Sequence, residues 1–138
     1  ALAPKLFVDE YETTEGTEYF LSFEDTKRQV VFAFLRLRLP NKEQGNTRLS
    51  SLLGFSSLSG ISFIRELHTY GQLLDLGTKQ KSASQHKGLG KKLVLEAEKI
   101  SKKNDYSKVA VISGVGVRGY YRKLGYKKQG TYMIKKLV

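Results

Sequence analysis

The chain has 138 residues, a formal net charge of +11 and no cysteine. That length can bury a core without staples, and the missing cysteines exclude a disulfide framework, a thiolate zinc site and a cysteine-held iron–sulfur cluster within these residues. The charge is one-sided, with 8 Lys/Arg against 10 Asp/Glu in residues 1–78 and 16 against 3 in residues 79–138, so the second half carries either a field for an anionic ligand or plain lysine-rich solubility.

Leu6 to Tyr11 and Tyr19 to Phe23 have the aromatic and β-branched content of strands, and the acidic stretch with Gly16 between them reads as the turn of a hairpin. Val30 to Leu39 ends in the alternation Leu35, Arg36, Leu37, Arg38, Leu39 before Pro40, which predicts a central strand with one apolar face. Residues 41–60, rich in Ser, Gly and Asn, read as a long connection with at most one helical turn. Ser62 to Tyr70 reads as the next strand, continued irregularly over Gln72 to Leu76, with a polar loop from Gly77 to Ser84.

From Gly88 to about Lys103, Leu89, Leu93, Ala97 and Ile100 recur at helical spacing, with lysines 91, 92, 99, 102 and 103 on the wet side. Lys108 to Ser113 predicts a short buried strand, Val117 to Leu124 a short helix closed by Gly125, and Tyr126 to Leu137 a last strand region broken by Gly130. This order predicts one α/β domain over residues 1–138 with a mixed sheet. No run is long and apolar enough for a membrane span, and no N-terminal stretch has a signal-peptide layout, so a cytoplasmic location without membrane association is the expectation.

The run Gln85, His86, Lys87, Gly88, Leu89, Gly90 places a glycine turn directly before the lysine-rich helix. Helix N-termini present unpaired N–H groups and the positive end of the dipole, and glycines let a pyrophosphate approach closely. A glycine pair that opens a helix is also often only a tight entry turn. Its spacing, (Arg/Gln)-x-x-Gly-x-(Gly/Ala), resembles the acetyl-CoA pyrophosphate loop of the GNAT N-acetyltransferases. Together with Ile64 to Gly71, Val109 to Gly114 and Val117 to Tyr126, it resembles the C-terminal acetyltransferase (KAT) domain of the Elongator catalytic subunit, the enzyme family that carboxymethylates the tRNA wobble uridine. The likeness runs from about Leu6 to the C-terminus. It departs at Gly119, where asparagine is common in the family, and over the serine-rich residues 46–60.

The resemblance implies a GNAT fold, with a mixed, mostly antiparallel sheet, flanking helices and a splayed parallel strand pair that admits the pantetheine arm. It implies that the backbone of Glu66, Leu67, His68 and Thr69 pairs with pantetheine amides. Leu89, Gly90 and Lys91 would supply N–H groups to the pyrophosphate, Gly88 would permit its approach, and Gln85 stands where many members have arginine. Lys87 and Lys91 would screen phosphate charge or remain solvated, and His86 would touch phosphate or RNA or only pack on the loop. Tyr121 is the leading side-chain candidate, as a phenol that hydrogen-bonds the thioester sulfur or protonates the departing thiolate. Tyr120 is assigned to another face of its helix, for packing or RNA stacking. Glu66 and His68 are candidate general bases, each with an ordinary strand residue as the alternative.

Arg118, Arg122, Lys123, Lys127 and Lys128 cluster with tyrosines, a mixture suited to RNA phosphates and bases and equally to an exposed basic helix. In the family, a radical SAM domain with an iron–sulfur cluster and S-adenosylmethionine precedes this one. The cysteine-free sequence, which begins without methionine, is therefore expected to be a fragment of a longer enzyme and to partner that domain and tRNA. The leading reading is an acetyl-CoA-binding domain that supplies the acetyl unit for carboxymethylation at C5 of the wobble uridine. The alternatives are an autonomous N-acetyltransferase acting on a protein lysine or small amine, and a tRNA-binding module without acetyl transfer.

Overall fold

The computed structural model describes residues 3–41, 60–70 and 88–138. The expected irregular continuation after Tyr70, the loop to Ser84, most of the 41–60 connection and the turn residues Gln85, His86 and Lys87 lie outside them. The first hairpin joins β1 (Lys5–Thr13) to β2 (Gly16–Glu24). The described residues continue through β3 (Val31–Pro40), β4 (Ile61–Thr69), helix α1 (Leu89–Lys103), β5 (Lys108–Ile112), a 3-10 turn at Val115–Val117, helix α2 (Arg118–Lys123), β6 (Lys127–Gln129) and β7 (Tyr132–Lys136). These strands form one sheet in the order β1-β2-β3-β4-β5-β7-β6. Only β4 and β5 run parallel among them; the other neighbours are antiparallel. This is the mixed, mostly antiparallel α/β architecture the sequence predicts.

Alternation places the elements. On β3, Ala33, Leu35, Leu37 and Leu39 are buried while Arg36 is exposed, and on β2 Tyr19 and Leu21 join the same face. Helix α1 closes that face with Leu89, Leu93, Val94 and Ala97. Each such side chain, fully buried, contributes roughly 1.5–3 kcal/mol for the larger aliphatics. The stripe is wider than the four positions read from spacing. Glu98 and Ser101 are buried too, and Ile100 packs at the margin. Polar burial is tolerated because partners are supplied: Ser101 Oγ lies 2.7 Å from Ser62 Oγ and donates to the Ala97 carbonyl at 2.8 Å.

Pro40 ends β3 inside its last residue, and its carbonyl accepts from the Tyr106 hydroxyl. Gly130 has φ +62°, the left-handed backbone that a two-residue hairpin turn requires, and so divides the last strand region into β6 and β7, paired Gln129↔Tyr132. No helix of the described residues is long and apolar enough to cross a membrane.

A polar clamp ties α1 to the C-terminal elements. Tyr126 Oη donates to Glu98 Oε2 at 2.7 Å, and Lys135 Nζ donates to Glu98 Oε1 at 3.1 Å and to the Leu124 carbonyl at 2.9 Å. Burial, with the Glu98 carboxylate beside it, drives the Tyr126 phenol upward in pKa, so it remains a donor. Removing the carboxylate strands a buried hydroxyl and a half-buried ammonium. Glu98→Ala is expected to cost about 3 kcal/mol, more than a matched surface substitution on α1, measured by urea unfolding.

Candidate acyl-CoA cleft

The parallel pair is in register only from Ile61↔Lys108 to Ile64↔Val111. Beyond that point β4 stays with β3, through Arg36↔Glu66, Leu35↔Leu67, Phe34↔His68 and Ala33↔Thr69. Meanwhile β5 stays with β7, through Ile112↔Tyr132. A bulge falls at the fork: Leu37 pairs with Ile64 and Arg36 with Glu66, so Arg65 is the extra residue on β4, which sharpens local twist. The two strands part, and the edge of β4 that β5 leaves can pair its N–H and C=O groups with an extended, amide-bearing ligand.

The N-terminus of α1 opens on this gap. Gly88 is its N-cap, at φ +78° and without a side-chain cap, and no acidic residue stands in the first turn. Among the described residues, a β-carbon at Gly88 would meet no atom within 4 Å. At Gly90 the requirement is different. A β-carbon there would lie 2.9 Å from Tyr120 Oη and 3.4 Å from Thr69 Cγ2, so glycine lets α1 sit close against β4 and α2. First-turn N–H groups left free of caps and acids favour an anion.

Together these elements enclose a cleft of about 510 Å³. Leu67 and Thr69 line it from β4, Gly88 to Lys91 from α1, Ile112 to Gly114 from the end of β5, and Tyr120 and Tyr121 from α2. Tyr121 is 5 % exposed and is held edge-on between Tyr120 and Tyr126, with centroid distances of 5.2 and 5.7 Å. Burial pushes its phenol up to about 12, with Tyr120 adding a smaller contribution. At neutral pH it is a hydrogen-bond donor. Tyr120 also lines the cleft, 39 % exposed; assigning it to another helix face misses that the chain after β5 turns α2 so that both adjacent rings meet the gap.

The structure brings Leu67, Thr69, Gly88, Leu89, Gly90, Lys91 and Tyr121 together around the cleft. The side chains of Glu66 and His68 are not among its lining. Glu66 pairs with Arg36 at 3.5 Å and sits 3.7 Å from His68 Nε2. The imidazole stacks on Phe34 and Tyr70 at 5.4 and 5.7 Å. Strand alternation explains this: Leu67 and Thr69 take the cleft side and their neighbours the other, leaving the backbone of 66 and 68 at the β4 edge. Ser113, absent from the sequence-derived candidates, is buried at the end of β5, and its Oγ has no hydrogen-bond partner among the described residues. A serine that ends an apolar strand carries no pattern that spacing could detect.

The donor set suits an acyl-CoA: a glycine-opened helix N-terminus for its pyrophosphate, a strand edge for its amides and an unpartnered buried hydroxyl in the cleft wall. The fold and this cleft define a GNAT-type acetyltransferase domain. No protein-family model matches the chain. It is 41% identical over 129 residues to Elongator complex protein 3 of Homo sapiens, covering 93% of this chain and 22% of the relative. It is 45% identical over 140 residues to the tRNA uridine(34) acetyltransferase of Methanocaldococcus jannaschii, covering 96% and 23%. The solved Elp3 of Methanocaldococcus infernus superposes with a TM-score of 0.72 at 40% identity, over 98% of this chain and 30% of that one. A GNAT family N-acetyltransferase of Escherichia coli, solved in complex with CoA, superposes at 0.60 with 12% identity, over 100% of this chain and 83% of that one, a likeness of fold. The chain belongs with the acetyltransferase domain of the Elongator catalytic subunit and spans somewhat over a fifth of the length of the curated relatives it matches.

The raised Tyr121 pKa has a thermodynamic sign. The folded state favours the neutral phenol, so its contribution is complete below the unfolded value of 10.0 and is lost as pH climbs from there toward about 12. The thermal midpoint is expected to fall across that window, and to fall less steeply in Tyr121→Phe, followed by circular dichroism at stepped pH.

Proposed function

We propose that this chain binds acetyl-CoA in the β4/β5 cleft and, within a longer enzyme, supplies the acetyl unit for modification of the tRNA wobble uridine at C5. The observation that carries this reading is the meeting of a parted parallel strand pair with an uncapped, glycine-opened helix N-terminus in one cleft. When bound, acetyl-CoA supplies an activated two-carbon acyl group as a thioester.

The N–H groups of Leu89, Gly90 and Lys91 take the anionic end, with the Lys91 ammonium adding charge. The backbone of Glu66 to Thr69 takes the extended arm as an added strand. Tyr121 Oη keeps its proton through the neutral range and serves as donor toward a thioester sulfur, the role of an acid rather than a base. With no cysteine in the sequence, iron–sulfur and S-adenosylmethionine chemistry is assigned to the radical SAM domain of the longer enzyme. The tRNA part is supported by the names of the relatives and by the exposed Arg122, Lys123, Lys127 and Lys128 and the partly exposed Arg118 on α2 and β6.

Calorimetric titration with acetyl-CoA is expected to give saturable one-to-one binding. Gly88→Val, which forces a β-branched residue to φ +78° and puts bulk at the helix N-terminus, should weaken it at least tenfold. Tyr121→Phe should keep affinity within about threefold and lower thioester turnover about tenfold or more, the size of effect one positioned acid contributes; unchanged turnover removes that role.

For tRNA, log affinity should fall linearly with log salt, and the double substitution Arg118→Glu, Arg122→Glu should reduce both affinity and slope. A salt-insensitive affinity in a filter-binding titration would argue against this surface.

A further inference from the structure

The cleft wall contains a polar group that the fold itself does not use. Ser113 follows Val109 and Val111 on the packed face of β5, while Ile112, between Val111 and Ser113, is 65 % exposed. Ser113 is 9 % exposed, and its hydroxyl has no partner among the described residues. Other buried serines of the described residues are satisfied: Ser22 donates to Glu24, and Ser62 and Ser101 pair with each other. A buried hydroxyl without a partner opposes folding, and alanine would complete the Val109–Val111 face at least as well. The cost is sustained at a position that lines the acyl-CoA cleft.

Its place along the cleft says which part of a ligand it meets. Thr69 abuts Gly90 at the α1 end, the end to which the proposed function assigns the anionic groups. The fork lies at the opposite end, after Ile64↔Val111. Ser113 lies two residues beyond Val111, the last β5 residue paired with β4, and so lines the cleft close to the fork. An arm anchored at α1 and running toward the fork brings its acyl tip there.

We infer that Ser113 is a positioning residue whose hydroxyl donates a hydrogen bond to the carbonyl oxygen of the bound thioester. The inference rests on the acyl-CoA reading of the cleft. It orients the acyl group and adds no proton transfer.

The test compares the parent chain, Ser113→Ala and Ser113→Thr. Calorimetry with acetyl-CoA and with CoA, which lacks the acyl carbonyl, is paired with thermal unfolding of the unliganded proteins. Ser113→Ala is expected to bind acetyl-CoA about five- to tenfold more weakly, bind CoA within twofold of the parent, and unfold at the same or a higher temperature. Ser113→Thr, which keeps the hydroxyl, should regain selectivity for acetyl-CoA over CoA. Affinity of the alanine variant within twofold for acetyl-CoA, equal weakening for both ligands, or a lower unliganded midpoint would each overturn the assignment. Failure of the parent to bind either ligand would overturn the proposed function itself, and this inference with it.

Discussion

Everything functional in this molecule depends on two strands being held more firmly by their outer neighbours than by each other. β4 is fastened to β3 as far as Ala33↔Thr69, and β5 to β7 as far as Ile112↔Tyr132. Antiparallel pairing on both outer sides is somewhat stronger per residue than the parallel pairing between them. Twist accumulated across the sheet, increased by the extra residue Arg65, therefore opens the parallel seam. The cleft is a consequence of sheet mechanics, and α1 has only to bring its N-terminus to the opening.

That placement is itself enforced from below. Leu93, Val94 and Ala97 fix the helix on β2 to β4, and the Glu98 clamp to Tyr126 and Lys135 fixes its distance from α2 and β7. Gly90 then permits the last approach to Thr69 and Tyr120. Rigid elements on three sides hold the N–H groups, the strand edge and the Tyr121 phenol in one frame, the arrangement that lets weak individual contacts act together.

Much of this was legible in the sequence. The first hairpin, the leucine-arginine alternation of β3 and the α1 stripe follow from composition and periodicity, and the glycine turn before α1 reads as an anion site or as a tight entry turn. The parting of β4 and β5 was not readable from residues, because alternation reports the faces of a strand and not which neighbour it keeps. Glu98 was missed for a related reason: a carboxylate on a lysine-rich helix reads as solvated until its partners Tyr126 and Lys135 are brought from distant segments. The side chains of Glu66 and His68, chosen as titratable groups on the right strand, project on the other face, where the Phe34 and Tyr70 rings and Arg36 engage them. Ser113 depends wholly on tertiary context.

The tyrosine wall of the cleft also determines how the protein looks to light. The chain has 8 tyrosines and no tryptophan, so its near-ultraviolet emission is undiluted tyrosine fluorescence. Tyr120, Tyr121 and Tyr126 sit in edge-on contact, close enough for excitation to hop among them, and two of the three border the gap. Under the proposed function, an adenine-bearing guest would absorb in the same region, and a thioester or thiol beside Tyr121 would quench it. Binding of such a guest would then be readable from the protein's own emission, without a label.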